Sequence, residues 1–251
     1  MFYTRSMIYI KKWFEYYDDL FKVAPNQQEF FEELCKDAAA PKKVLSVECG
    51  PARISKKLSK KNFDVTATDS YPEFINSINN DQGVDKTQLH VFNLLPQDIG
   101  RYLGQNFFDL IVCCNYRLIF MKNKALITKF ILDAKNLLKE NGYLVLDLLN
   151  FSKYDFSKSK IELPVKESER ATLYSTLTKD EENATYTLDQ YVITNSGKKI
   201  DEVVNETVCP ISLETFKKLA EDTDFKIEFY SDYNKTPFSK DSDRIICVLK
   251  K

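Results

Sequence analysis

The chain has 251 residues, which is long enough for one large domain or for one domain that carries an elaborate insertion. Hydrophobic residues make up 43% and charged residues 29%, a composition that is typical of globular proteins and excludes an intrinsically disordered chain. The formal net charge of -1 lacks the basic excess of most nucleic-acid-binding proteins, so we expect no nucleic-acid partner.

The first 40 residues are predicted to form one or two amphipathic helices that are rich in aromatic side chains. Pro25 and Asn26 mark the break between them. The neighbouring Tyr16 and Tyr17 point about 100° apart on a helix, so we expect one of them to face something other than the core. No run of about 18 apolar residues occurs in the sequence, which predicts neither a membrane span nor a membrane partner.

From Lys43 onward, apolar runs alternate with amphipathic ones, which predicts a mostly parallel sheet with helices on both faces. The predicted strands lie near residues 43–48, 63–68, 88–92, 107–114 and 141–149, and the predicted helices near 52–60, 72–80, 97–104 and 123–139. Such sheets bind ligands at the carboxyl ends of their strands. The residues expected at those ends are Glu48 to Pro51, Asp69, Asn93, Cys114 to Arg117, and Leu149 to Asn150.

The pattern changes after Asn150, because residues 151–209 alternate polar with apolar side chains and predict an antiparallel β insertion. A helix near residues 212–222 and strands near 225–231 and 243–249 follow, the last strand being antiparallel. The insertion is expected to form either a wall of a substrate site or a subunit contact in a homodimer, and the sequence does not distinguish the two.

The segment from Lys43 to Ile54 is predicted to be a buried strand, a tight turn and the start of a helix. Gly50 permits close approach of the backbone, and Pro51 suits the first position of a helix. Asp69 ends the next predicted strand and comes to lie beside this turn. The turn by itself fits a nucleotide-like cofactor and a ligand-free connection about equally well.

Five of these segments resemble, in order and spacing, the motifs of class I S-adenosylmethionine-dependent methyltransferases. They are Val44 to Arg53, Thr68 to Ser70, Asn93 to Pro96, Phe108 to Cys114 and Leu137 to Val145. The resemblance implies an α/β fold with a doubly wound, Rossmann-like, seven-stranded sheet whose last strand is antiparallel. It also implies a helical lid over residues 1–40, a cofactor-binding domain over 41–150 and 210–251, and the β insertion over 151–209.

The resemblance further implies that S-adenosylmethionine (SAM) is the cofactor. The residues that would bind it are Tyr17 from the lid, Glu48, Cys49, Gly50, Asp69, Ser70, Asn93, Leu94 and Cys114. In particular, Asp69 would accept hydrogen bonds from the two ribose hydroxyls, because its carboxylate offers two acceptor oxygens.

Transfer of a methyl group from a sulfonium is an in-line displacement that depends on alignment and exclusion of water, so it needs no dedicated base. Tyr17 and Asn115 are the predicted catalytic residues, and Tyr116 and Arg117 are predicted to contact the substrate. For Arg117, an anionic group of the substrate and a surface salt bridge are equally weighted alternatives. The function implied by the resemblance is methyl transfer to the nitrogen or oxygen of a small molecule such as an amine or amino sugar.

Six cysteines are scattered along the sequence without the spacing of a zinc site. Reduced thiols in the cytoplasm are the simplest account of this pattern, so we expect a cytoplasmic protein without bound metal. The lone histidine, His90, lies inside a predicted strand and is expected to have a structural role.

Four positions depart from the pattern of the family. Ser46 and Asn93 each replace an acidic residue, Ala52 replaces the last glycine of the first motif, and Glu48 replaces a small residue. An alanine at positive φ costs roughly 1 to 2 kcal/mol, and the carboxylate of Glu48 would repel that of the cofactor. The alternative function is therefore a degenerate methyltransferase-fold protein that acts as a binding or interaction module. A nicotinamide-dependent dehydrogenase is disfavoured, because Ala52 and Ser55 occupy two glycine positions of its motif.

Overall fold

The computed structural model describes residues 15–180 and 185–251, which form two compact units. The insertion unit consists of residues 15–22 and Tyr154–Pro210, and the sheet unit consists of Val23–Lys153 and Ile211–Lys251. The helical lid over residues 1–40 stays a prediction, because residues 1–14 lie outside the described part and residues 23–40 belong to the sheet unit.

The strands are, in chain order, β1 (Lys42–Val47), β2 (Phe63–Asp69), β3 (Leu89–Asn93), β4 (Phe108–Cys113), β5 (Leu138–Leu149), β6 (Lys160–Glu162), β7 (Lys166–Glu167), β8 (Ala171–Asp180), β9 (Thr185–Thr194), β10 (Lys199–Val208), β11 (Lys226–Tyr230) and β12 (Arg244–Lys250). The α-helices are α1 (Gln27–Leu34), α2 (Arg53–Ser59), α3 (Pro72–Asn80), α4 (Ile99–Tyr102), α5 (Lys124–Leu137) and α6 (Leu213–Glu221). Residues 15–20 are also helical, and short 3-10 turns cover Pro96–Asp98, Arg117–Phe120 and Phe151–Lys153.

The sheet unit contains a seven-stranded sheet in the order β11-β12-β5-β4-β1-β2-β3. Strands β1 to β5 pair in parallel, whereas β12 is antiparallel to both of its neighbours, β5 and β11. The predicted doubly wound sheet with an antiparallel last strand is confirmed. Every residue of β4 is buried, as expected for a central strand that helices cover on both faces.

Two details of the helices differ from the predictions. The stretch predicted as one helix over residues 97–104 is a 3-10 turn followed by the short α4. The helix after β1 begins at Arg53, so the prediction that Pro51 takes its first position is wrong. The reason is that Ala52 has a left-handed backbone at φ 57, which a right-handed helix cannot include.

The insertion unit contains an antiparallel sheet in the order β10-β9-β8-β6, with β7 also paired to β8. This confirms the predicted antiparallel insertion. In β8, buried positions alternate with half-buried ones, which is the period of two that the sequence showed. The helical residues 15–20 attach to this unit, since Arg170 forms ion pairs of 2.9 Å with both Glu15 and Asp19. Tyr16 faces the same guanidinium at 5.0 Å, so one of the adjacent tyrosines does contact something other than the apolar core.

Within residues 15–180 and 185–251, Cys35, Cys49, Cys113, Cys114 and Cys247 are free thiols. The helices of this part are too short or too polar to cross a lipid bilayer. The same residues contain no cluster of three or more side chains suited to hold a metal ion.

Candidate active site

The order of the strands reverses between β1 and β4, and the candidate site lies at the carboxyl ends of these strands and of β2. Residues predicted from three separate stretches of sequence meet there. Glu48 follows β1, Asp69 ends β2, and Arg117 lies four residues beyond β4. All three residues belong to the sheet unit.

The turn after β1 has an unusual backbone, because Glu48, Gly50 and Ala52 have φ values of 52, 56 and 57. Only glycine adopts this left-handed region without strain, so Glu48 and Ala52 each cost roughly 1 to 2 kcal/mol. Ala52 thus meets the condition under which an alanine at this position is strained. Such strain persists only where the surroundings enforce it, and it is concentrated at functional sites.

Asp69 fastens this turn to the end of β2. One oxygen of its carboxylate accepts the backbone N–H of Gly50 at 2.7 Å, and the other accepts that of Tyr71 at 2.9 Å. Asp69 has no exposed surface. Burial, together with the neighbouring Glu48 carboxylate, raises the pKa of Asp69 to about 7, and the Arg117 guanidinium opposes this rise only in part.

Glu48 and Arg117 form a buried ion pair directly beside Asp69. The Oε2 atom of Glu48 lies 2.7 Å from Nη2 of Arg117, and the two side chains are 4% and 7% exposed. The second oxygen of Glu48 accepts the backbone N–H of Ser70 at 3.3 Å. The guanidinium also lies 4.6 Å from the ring of Phe120 and 5.6 Å from that of Tyr71. The ion pair of Arg117 is therefore internal and not at the surface.

Asn93 and Leu94, two of the predicted cofactor-binding residues, are hydrogen-bonded to the end of β2. Asn93 donates its side-chain amide to the carbonyl of Asp69 at 2.8 Å, and the N–H of Leu94 points to the same carbonyl at 3.2 Å. An aspartate at position 93 could not donate this hydrogen bond. The amide therefore orients the end of β3 relative to the end of β2.

The turn after β4 is held by Asp147 near the end of β5. Asn115 and Tyr116 are both left-handed, at φ 58 and 62. The N–H of Asn115 donates to the Asp147 carboxylate at 3.2 Å, and the N–H of Tyr116 donates to the Asp147 carbonyl at 3.1 Å. Arg244, which starts β12 opposite the end of β5, pairs with the Asp147 carboxylate at 3.2 Å and donates to the Tyr116 hydroxyl at 3.4 Å.

Tyr233, from the loop between β11 and β12, also belongs to this hydrogen-bond network. Its hydroxyl accepts the side-chain amide of Gln27 at 2.9 Å and donates to the Asp147 carboxylate at 3.3 Å. The same amide lies 3.3 Å from the Sγ atom of Cys114. Burial raises the pKa of the Cys114 thiol to about 12, so the thiol stays protonated and is not a nucleophile at neutral pH.

Of the predicted site residues, Tyr17 lies in the other unit, where it stacks on Phe21 with 4.6 Å between ring centroids. Sequence reasoning missed four members of the network around the turn after β4: Gln27, Asp147, Tyr233 and Arg244. Asp147 had a usable signal, because it is the one charged residue in the apolar run from Tyr143 to Leu149. The other three give no local signal, since their partners are distant in sequence.

Comparison with known proteins identifies a family whose sequence pattern this chain matches. The family model of the tellurite resistance protein TehB matches residues 8–190. YqeM of Bacillus subtilis (strain 168), which carries the name of a methyltransferase, is 30% identical over 137 residues. That match spans 53% of this chain and 52% of YqeM, so the chain covers about half the length of this relative.

Solved structures of methyltransferases share the fold. The CcbJ methyltransferase from Streptomyces caelestis matches with a TM-score of 0.77 at 14% identity, over 94% of this chain and 95% of CcbJ. CalS10, an amino pentose methyltransferase from Micromonospora echinaspora with SAM bound, matches with a TM-score of 0.62 at 12% identity, over 89% and 88% of the two chains. At these identities the comparison establishes the architecture and not the substrate.

Proposed function

The chain belongs to the TehB family, and we propose on this premise that it is a SAM-dependent methyltransferase that acts on the nitrogen or oxygen atom of a small molecule. The observation that carries the proposal is the position of Asp69. It ends β2 next to the point where the strand order reverses, and it is hydrogen-bonded to the turn after β1. A ligand with a ribose needs a carboxylate at this place.

The residues of the site fit SAM in their chemistry. Each oxygen of Asp69 accepts one backbone N–H and retains a lone pair for a ribose hydroxyl. Glu48, Asp69 and Arg117 together carry one net negative charge when all three are ionised, which suits a cationic sulfonium. Gly50 leaves room for close approach beside Glu48 and Cys49, while Ser70, Asn93 and Leu94 border the adenosine in this proposal.

The chemistry that SAM supplies is an activated methyl group, so the protein has to align the acceptor and exclude water. We assign this task to the turn after β4, where Asn115 and Tyr116 are fixed by hydrogen bonds to Asp147. Cys114 lies beneath them as a neutral thiol, which avoids a competing nucleophile. Arg117 is proposed to meet the substrate once Glu48 has moved away from it, and Tyr17 stays a prediction from the sequence.

Four further points of the proposal concern the acceptor, the partners and the location of the protein. CalS10 acts on an amino pentose, which supports an amine or amino sugar as the acceptor class. The net charge of -1 favours a small molecule over a nucleic acid. Free cysteines support a cytoplasmic location. A homodimer formed through the insertion unit is the alternative to its use as a substrate wall.

Isothermal titration calorimetry with SAM and with S-adenosylhomocysteine (SAH) tests the proposal. We expect both ligands to bind and Asp69→Ala to weaken binding at least about tenfold, because a buried charge-assisted hydrogen bond is worth roughly 1.5 to 3 kcal/mol. The matched control is Asp64→Ala in the same strand, since Asp64 pairs with Lys43 near the amino end of β2 and should not affect affinity.

The second candidate function is a non-catalytic binding module, which the complete burial of Asp69 favours. The same titration separates the two functions. An absence of heat with both ligands up to millimolar concentration would exclude the enzyme and favour the module. An unchanged affinity in Asp69→Ala would show that Asp69 does not hold the ribose.

A further inference from the structure

The ion pair between Glu48 and Arg117 lies beside Asp69, the residue on which the proposed function depends. The Glu48 side chain reaches from the end of β1 to Ser70, just beyond β2, and Arg117 holds its other oxygen. Asp69 ends β2 directly before Ser70, is fully buried and has the Glu48 carboxylate as a charged neighbour. A ribose therefore cannot reach the Asp69 carboxylate unless a neighbouring side chain moves.

Stability alone does not account for the pair. A buried salt bridge loses about as much free energy in desolvation as it gains in attraction, so it is weak evidence for a stabilising role. Glu48 adds the strain of a left-handed backbone at φ 52 and the repulsion of a second carboxylate, Asp69. The strain and the repulsion both raise the free energy of the paired state. Less free energy is therefore needed to move Glu48 out of it.

We propose that the Glu48–Arg117 ion pair is a gate on the cofactor site, closed over Asp69 in the free protein and displaced when SAM or SAH binds. The inference rests on the proposed function. The moving group is Glu48, because Arg117 keeps its contacts with the rings of Tyr71 and Phe120 when Glu48 leaves. A left-handed residue at the end of a strand needs only a local backbone change to redirect its side chain.

The test is a double variant, Glu48→Gly together with Arg117→Val, titrated with SAM and SAH by calorimetry. Both charges are removed at once, because Glu48→Gly alone would take away the carboxylate that lies 2.7 Å from the buried guanidinium of Arg117. Glycine also relieves the strain at φ 52. We expect the double variant to bind both ligands at least about tenfold more tightly than the wild type, which corresponds to roughly 1.4 kcal/mol.

The matched control is Asp109→Asn with Lys139→Met, which removes a 2.8 Å ion pair at the amino end of β4. This control should leave the affinity for SAH unchanged. Glu48→Asp is a milder second variant in case the double variant does not fold. Its shorter side chain cannot reach both partners, aspartate tolerates positive φ better, and binding should tighten at least about threefold.

The titrations distinguish a failure of the gate from a failure of the methyltransferase proposal. If the wild type binds SAH and the folded variants bind it equally or more weakly, the pair belongs to the binding surface and the gate is refuted. If only the double variant binds, the ion pair blocks the site permanently, and a gate that SAM or SAH displaces is refuted. If neither protein binds up to millimolar ligand, the methyltransferase proposal fails and the gate fails with it.

Discussion

Replacing Tyr233 by phenylalanine removes one oxygen atom from the buried network that holds the turn after β4. The hydroxyl joins the amide of Gln27 at 2.9 Å to the carboxylate of Asp147 at 3.3 Å. These three residues are 3%, 4% and 1% exposed, so water cannot take the place of the lost partner. We expect a loss of about 2 kcal/mol in the free energy of unfolding, because two buried hydrogen bonds are lost at roughly 0.5 to 1.5 kcal/mol each.

The loss is measured by urea unfolding and by the thermal midpoint, which should fall by about 4 to 8 °C in a unit of this size. The control is Tyr102→Phe, where the tyrosine is 63% exposed and its hydroxyl has water available. That variant should stay within about 0.5 kcal/mol of the wild type. Equal losses in the two variants would refute the claim that the Tyr233 hydroxyl links α1 to β5.

Two further predictions concern charge and packing. Because burial and Glu48 raise the pKa of Asp69 from its ordinary 3.8 to about 7, the folded protein holds this proton more tightly than the unfolded chain. Its contribution is full below about pH 4 and is lost as the pH rises through about 7, so Asp69→Asn should flatten the fall in stability between about pH 4 and 7; identical slopes in urea unfolding would contradict this. Gly142→Ala should cost about 1 to 3 kcal/mol, because its Cβ would lie 2.9 Å from the backbone carbonyl oxygen of Lys139. Gly100→Ala should cost less, because its Cβ meets only the mobile carboxylate of Asp133, and the reverse order in thermal unfolding would show the reasoning to be wrong.

The central sheet could be predicted from the sequence because its signal is local. Val44, Leu45 and Val47 form a short apolar run before a glycine turn, and such a run between turn signals is typical of a buried parallel strand. The antiparallel insertion could be predicted equally well, since buried positions of β8 alternate with half-buried ones from Ala171 to Thr178. What these patterns cannot give is the backbone of single residues, and Ala52 at φ 57 moved the start of α2 past Pro51.

The candidate site was predictable where a residue ends a strand and hidden where two distant residues meet. Asp69 follows from its place at the end of β2 alone. Tyr233 and Gln27 are 206 positions apart, and neither lies in a pattern that marks a buried hydrogen bond. Their pairing depends on how the loop after β11 folds over the sheet edge, which is a property of the tertiary structure.

Glu48 and Arg117 are a second case in which two residues distant in sequence contact each other only in the folded structure. Read separately, Glu48 is a carboxylate that should repel the cofactor, and Arg117 is a cation that awaits an anionic substrate. The structure pairs them at 2.7 Å, so each accounts for the charge of the other. Glu48 is therefore not in itself evidence of a degenerate site, because Arg117, 69 positions away, compensates the charge of its buried carboxylate. Since Ala52 adds only roughly 1 to 2 kcal/mol of strain, the departures from the family pattern bear on the affinity for SAM rather than on whether the fold retains a cofactor site.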